Sequence, residues 1–260
     1  MSNSFITNKN KYLSDIINGI LPKTNAVDFL VGYFYYSGYK ELSEQLKDKR
    51  IRILIGLDIE IHITKHICEV ENFRQQLQSR GVLKEEYYAQ FIKAFNDTDF
   101  LDTEEKIGQF KMFYSKILDG SLEIRKTLEP CHSKMYLFAY SDIINEGGEN
   151  PGVLITGSSN LSYQGLKGRL ELNARFNDKI EYDEGKVIFE ELWKDAIVIA
   201  DKDNIDEWNN KVMKHIWFDT LYSPYLMFIR VLIEYFAIPS KENLLTPYDI
   251  TDGRFSNLKY

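Results

Sequence analysis

Residues 131–138 of the chain read CHSKMYLF, and residues 157–165 read GSSNLSYQG. His132 and Lys134 stand two apart at the head of a β-prone run, CHSKMYLF (131–138), and Ser158 and Asn160 stand two apart at the close of the next, GVLITGSSN (152–160). Side chains two apart on a strand project from the same face. A third run, LELNARFND (170–178), puts Glu171, Asn173 and Arg175 on one face and Leu170, Leu172, Ala174 and Phe176 on the other. The second set is apolar and is expected to face the core. With these strands as neighbours, an imidazole, an ammonium, an amide, a hydroxyl and a carboxylate meet at one point of the sheet edge.

That combination suits a phosphodiester. An imidazole can attack phosphorus and form a covalent phosphohistidine. A lysine ammonium and an asparagine amide can hold the non-bridging oxygens and stabilise the charge of the transition state. A carboxylate can fix the tautomer of the imidazole. Lysine and amide donors then take over the electrostatic role that a metal has elsewhere, so neither a metal nor a cofactor is expected.

The surrounding pattern shows how such residues would be held. AVDFLVGYFYY (26–36) and RIRILIGLD (50–58) are nearly all apolar, as strands buried on both faces are. SGYKELSEQLKD (37–48) lies between them with Leu42 and Leu46 one helical turn apart and Ser37 as a candidate N-cap. Strand, helix and strand over so short a stretch predict a right-handed crossover with parallel strands. From 60 to 119 the pattern is helical and charged. Ile107, Phe110, Phe113, Tyr114 and Ile117 form one stripe that Gly120 closes. Strand signals return at LEIRKTL (122–128), and SDIINEGGENPG (141–152) reads as a hairpin loop. KVIFEELWKDA (186–196) is a helix closing the sheet. The expected fold is α/β, a mixed β-sheet flanked by helices, over residues 1–196. Beyond 197 the pattern reads as helices only, so 197–260 is expected to be a helical linker or appendage.

Bulk composition narrows the function classes. The chain has 260 residues, 44% hydrophobic and 14% aromatic, which is enough to fill a core. Its net charge of −7 makes it no general polyanion binder, yet leaves room for a local basic cleft. Cys68 and Cys131 show no paired spacing, and a core of this size needs no disulfide. The opening MSNSFITNKNKYLSD lacks the apolar run of a signal peptide. The apolar stretch YLMFIRVLIEYFAI (225–238) contains Arg230 and Glu234 and is too short to span a bilayer. The expected setting is cytoplasmic, without a membrane.

Taken together, HSK at 132–134, GSSN at 157–160 and the Glu of LEL at 171 resemble the phospholipase D superfamily signature, HxK…GSxN…E. The step of eleven residues from Asn160 to Glu171 is similar to that in the family's bacterial nucleases. The resemblance extends through GYFYYSGYKEL and IRILIGLD and so covers about 26–196. It implies a phospholipase D-like fold with His132 as nucleophile, Lys134 and Asn160 as phosphate ligands, Ser158 as a supporting hydrogen-bonder and Glu171 orienting the histidine. Many members carry Asp five residues after the Lys, where this chain has Ala139. Lipid-acting members usually keep that Asp, and metal-independent restriction nucleases often lack it. The resemblance therefore points to a nuclease-like hydrolase acting on DNA.

The family's chemistry uses two histidines, one attacking and one protonating the leaving oxygen. The chain has four histidines, and only His132 is followed two residues later by Lys. The second histidine is thus expected from another copy, in a homodimer with the cleft on its two-fold axis. The end of the chain, LTPYDIT…GRFSNLKY, resembles the front of bacterial DEAD/DEAH-type helicases with an N-terminal phospholipase D-like domain. No Walker A sequence occurs in the chain.

Blander readings stand beside these. A fold does not guarantee turnover, so the alternative is a non-catalytic nucleic-acid-binding or dimerisation module of a helicase. A phospholipid transferase is a third reading, weakened by the missing Asp and the lack of a second HxK. His62 and His66 have a spacing that can bind zinc, but no third ligand is evident, and a solvated helix face explains them. Cys131 reads as a small core residue. The YFYY run at 33–36 reads as core and dimer packing rather than a base-stacking platform, and Tyr87–Tyr88 as helix packing. Lys167, Arg169 and Arg175 fit phosphate steering and an ordinary surface role equally.

Overall fold

The computed structural model describes residues 4–9, 11–59, 80–95, 104–216 and 228. Its strands are β1 (Phe5–Ile6), β2 (Thr24–Phe34), β3 (Arg50–Ile59), β4 (Leu122–Lys126), β5 (Met135–Tyr140), β6 (Gly152–Gly157), β7 (Asn173–Phe176) and β8 (Ile197–Ala200). The helices are α1 (Leu13–Ile20), α2 (Tyr36–Leu46), α3 (Arg80–Phe95), α4 (Glu104–Leu118), α5 (Lys179–Asp195) and α6 (Ile205–Lys211). The strands form one 8-stranded mixed sheet in the order β1-β7-β6-β5-β2-β3-β4-β8. β2, β3 and β4 run parallel at its centre, with β2–α2–β3 as the crossover unit. β5, β6 and β7 run antiparallel beside them, and β5–β6 is a hairpin.

The central strands are apolar at nearly every position because both sheet faces are covered. Phe29 and Val31 of β2, with Tyr136 and Phe138 of β5, point into a large core shared with α1, α2, α3, α4 and α6. Leu30, Met135 and Leu137 alternate to the opposite face, where they meet Tyr182, Phe189 and Trp193 of α5. The expected α4 stripe is present: Ile107, Phe110, Phe113 and Ile117 are buried, with Tyr114 packed against them. Tyr87 and Tyr88 are buried in the same core.

A polar network fastens α5 to its face of the sheet. Arg52 of β3 donates to Asp28 of β2 through Nε (2.6 Å) and Nη2 (2.9 Å) and to Glu190 of α5 through Nη1 (3.0 Å) and Nη2 (2.6 Å). Its guanidinium lies 4.8 Å from the centroid of the Phe189 ring and 5.1 Å from that of Trp193. Lys186 adds an ion pair to Asp28 at 2.5 Å. Buried Asp28 is therefore compensated on every side, as a buried carboxylate must be.

Two local expectations change. Ser37 does not cap α2. Tyr35 occupies the cap position, and Ser37 Oγ instead accepts the Tyr163 N–H at 3.3 Å. The region beyond 197 is not helical throughout, because Ile197–Ala200 pairs antiparallel with β4 and closes one edge of the sheet. α6 then returns to the large core. Trp208 packs edge-on against Phe91 and Tyr88, with centroids 4.9 Å and 6.0 Å apart. Packing thus continues past 196, because four apolar residues suffice for an edge strand where a ladder awaits them. The rest of the expected helical extension, residues 217–260 apart from 228, lies outside the described residues. Among the described residues no helix is long and apolar enough to cross a membrane.

Candidate functional site

The carboxyl ends of the parallel strands, the start of β5 and the end of β6 come together at one end of the sheet. Open α/β sheets offer ligand sites at that position. His132 and Lys134 stand just ahead of β5, which begins at Met135, and not inside it. Residues 131–134 cross the end of β3 at Gly56, whose carbonyl accepts the Cys131 N–H at 2.9 Å. A Cβ on Gly56 would stand 1.7 Å from the Cys131 carbonyl oxygen, so no side chain fits there. Gly32 of β2 makes the neighbouring gap. A Cβ on Gly32 would lie 3.3 Å from His132 Cδ2, 3.4 Å from Asn160 Oδ1 and 3.6 Å from Lys134 Nζ. Three side chains from two segments, 131–134 and GSSN, thus converge over one glycine.

Their exposures differ. His132 reaches solvent, whereas Lys134 is only 5% exposed. Lys134 Nζ donates to the His132 carbonyl at 2.7 Å and lies 2.9 Å from both ring nitrogens. A contact shared equally between two nitrogens selects neither tautomer. Partial burial, and then the Lys134 charge, lower the His132 pKa, which favours the neutral nucleophilic ring. Burial also lowers the Lys134 pKa, and the Glu171 carboxylate opposes that shift.

Asn160 is oriented by the main chain. Its Oδ1 accepts the Tyr33 N–H at 3.2 Å, so the amide nitrogen is turned away from that donor. The GSSN segment rests on a polar network. Asn173 Nδ2 donates to Ser159 Oγ at 2.9 Å, and the Ser159 N–H donates to Asn173 Oδ1 at 3.3 Å. Ser159 Oγ and Asn8 Nδ2 both donate to the Gly165 carbonyl, at 3.0 and 2.7 Å. The Tyr136 hydroxyl donates to the Ser159 carbonyl at 2.7 Å. Buried polar groups satisfied in this way hold a loop in one conformation.

Ser158 and Glu171 form a separate pair. The Ser158 hydroxyl donates to the Glu171 carboxylate and accepts the Leu172 N–H at 3.0 Å. Glu171 was expected to orient His132, but among the described residues its carboxylate is hydrogen-bonded to Ser158. The expected faces of 170–176 also change. Leu170 and Leu172 are 76% and 57% exposed, whereas Asn173 is fully buried. Asn173 pairs with Ile6 of β1 and exchanges hydrogen bonds with Ser159, and these contacts replace the water it loses.

The other singled-out residues take varied places. Lys167 is ion-paired with Glu41 of α2 at 2.6 Å, which raises its pKa, and Arg175 Nε donates to Asn177 at 2.8 Å. Cys131 is a free, half-buried thiol packed beside the α5 core. His62, His66 and Cys68 lie outside the described residues. Among the described residues no group of three or more His, Cys, Asp or Glu side chains gathers to hold a metal. Sequence reasoning missed Gly32, Gly56, Ser159 and the supporting part of Asn173. A glycine interrupting an apolar strand is the signal that could have found the first two, since it marks a close backbone approach.

Fold and geometry define an α/β protein with a candidate anion site at the carboxyl ends of its parallel strands. No protein-family model matches the chain, and no curated protein matches it in sequence. Solved structures of similar shape include a phospholipase D family member, Nuc, from Salmonella typhimurium, 12% identical with a TM-score of 0.36, over 72% of this chain and 87% of that one. NucT from Helicobacter pylori is 10% identical with a TM-score of 0.39, over 75% and 97%. Polyphosphate kinase from Porphyromonas gingivalis is 10% identical with a TM-score of 0.41, over 88% of this chain and 28% of its own.

Proposed function

We propose that the chain is a metal-independent phosphodiesterase, a nuclease module acting on DNA through a phosphohistidine at His132. The observation that carries this reading is the convergence of His132, Lys134 and Asn160 over Gly32. A solvent-reaching imidazole there adjoins a buried ammonium and an amide oriented by the main chain. The neutral imidazole forms an N–P bond as the P–O bond to the leaving group breaks. Lys134 and the Asn160 amide balance the charge on the non-bridging oxygens. The departing alkoxide takes its proton from a second imidazole, His132 of another copy in a homodimer. Water then attacks phosphorus, the N–P bond breaks, and that second imidazole accepts the water's proton. Placement in a helicase rests on the sequence near 245–260, and the restriction-type reading on Ala139.

One observation favours a second reading, a nucleic-acid-binding or dimerisation module that leaves the bond intact. Glu171 is engaged by Ser158 rather than by His132. The deciding experiment is cleavage of plasmid and single-stranded DNA with and without EDTA, together with His132→Ala. Cleavage that survives chelation and disappears in His132→Ala supports the phosphodiesterase. Cleavage abolished by EDTA and retained in His132→Ala overturns it. A protein that binds DNA and leaves it whole in every buffer favours the second reading.

A further inference from the structure

Within the YFYY run, Phe34 is buried in the large core, and Tyr36 sits among Tyr39, Phe110 and Phe113. Tyr33 differs from both. It is half-buried at the end of β2, one residue after Gly32, and its ring meets the His132 ring edge to face, with centroids 6.3 Å apart and planes at 82°. Its main-chain N–H is the donor that fixes Asn160 Oδ1. The pairing of β2 with β3 shifts register between Val31 and Tyr33, so the strand end is irregular where these contacts are made. Such irregularities re-aim groups beside functional sites.

We propose that Tyr33 is a positioning residue, setting the plane of the His132 ring through its side chain and the orientation of the Asn160 amide through its main chain. The inference rests on the phosphodiesterase reading for its effect on rate. The Lys134 ammonium lies equally close to both ring nitrogens and so selects neither tautomer. Among the described residues Glu171 is not hydrogen-bonded to the imidazole. The perpendicular Tyr33 ring adds a contact that sets the plane of the imidazole, in the arrangement that aromatic pairs prefer. The same ring packs beside the imidazole. Apolar contact of that kind favours the neutral ring, in the same sense as the burial that lowers its pKa. Among the described residues, the titratable and charged groups around this cluster are Lys134, Glu171, Cys131 and the Tyr33 phenol itself.

The test compares Tyr33→Phe, Tyr33→Leu and Tyr33→Ala, each checked for folding by thermal unfolding. The His132 imidazole is titrated by NMR, with His132→Ala assigning the resonance, and steady-state cleavage of a DNA oligonucleotide is measured in parallel. Tyr33→Phe keeps the ring and with it the His132 titration. Tyr33→Ala moves the His132 midpoint up toward the ordinary histidine value. Tyr33→Leu fills much of the space without a ring; it lowers kcat about ten-fold with little change in KM, as loss of an alignment made for the reaction does. Folded Tyr33→Leu and Tyr33→Ala proteins with unchanged kcat and an unchanged His132 midpoint overturn the inference. The two proposals fail separately. DNA cleavage that persists in His132→Ala defeats the phosphodiesterase reading, whereas the NMR titration still reports whether Tyr33 holds the ring.

Discussion

Lys134 Nζ lies 2.9 Å from each ring nitrogen of His132, and the Lys134 side chain is buried while the imidazole reaches solvent. Partial burial, and then this neighbouring cation, disfavour the imidazolium and lower the His132 pKa. Replacing Lys134 with Met removes that repulsion. The His132 pKa then rises, and the neutral ring is lost at a higher pH as the solution is acidified. The acid limb of the pH–rate profile is expected to move upward. The rate at its plateau falls by about 10²–10³, the usual cost of deleting a preorganised oxyanion donor. A pH–rate profile of Lys134→Met against the unaltered protein checks both.

Gly32 and Gly56 separate a rate effect from a stability effect. In Gly32→Ala the new methyl meets His132, Asn160 and Lys134 at 3.3–3.6 Å, so side chains give way and the backbone need not. The expected result is cleavage reduced at least about ten-fold with little change in unfolding midpoint. In Gly56→Ala the methyl meets the Cys131 carbonyl at 1.7 Å, and main chain must move. A loss of about 1–3 kcal/mol in urea unfolding is expected.

The Arg52 network gives a pH dependence of stability. The Arg52 hydrogen bonds depress the Glu190 pKa from 4.5 to about 2. A depressed carboxylate stabilises the fold fully above its unfolded pKa, and that stabilisation is lost as the pH falls through the folded value. The urea midpoint should therefore fall between pH 4.5 and about 2, and fall less steeply in Glu190→Gln. Equal slopes for the two proteins would show that the pair contributes nothing.

Asn173 tests the support behind GSSN. Asn173→Leu keeps the volume and removes both hydrogen bonds to Ser159, leaving that buried serine short of partners. Unfolding experiments are expected to show a loss of about 1–3 kcal/mol. Asn173→Ser, with a shorter hydroxyl side chain, should recover part of it. A Leu variant as stable as the parent would remove Asn173 from the site's scaffold.

Much of this architecture could be read from periodicity. Uninterrupted apolar runs at 26–36 and 50–58 require cover on both faces, and the helix-length segment between them requires a parallel crossover. The types and spacing of His132, Lys134, Ser158, Asn160 and Glu171 are local facts of the sequence. Which of them meet was not local. Glu171 turns to Ser158 because their segments are joined main chain to main chain, with the Ser158 N–H on the Leu172 carbonyl at 3.0 Å. Asn173 is buried and Leu172 exposed because the Asn173 amide finds its partners in Ser159 of the GSSN segment. Ile197–Ala200 becomes a strand because β4 offers it an open edge. Alternation along a chain states which residues share a face. Only the packed sheet decides what that face meets, since the free energy of burying an asparagine or exposing a leucine depends on partners distant in sequence.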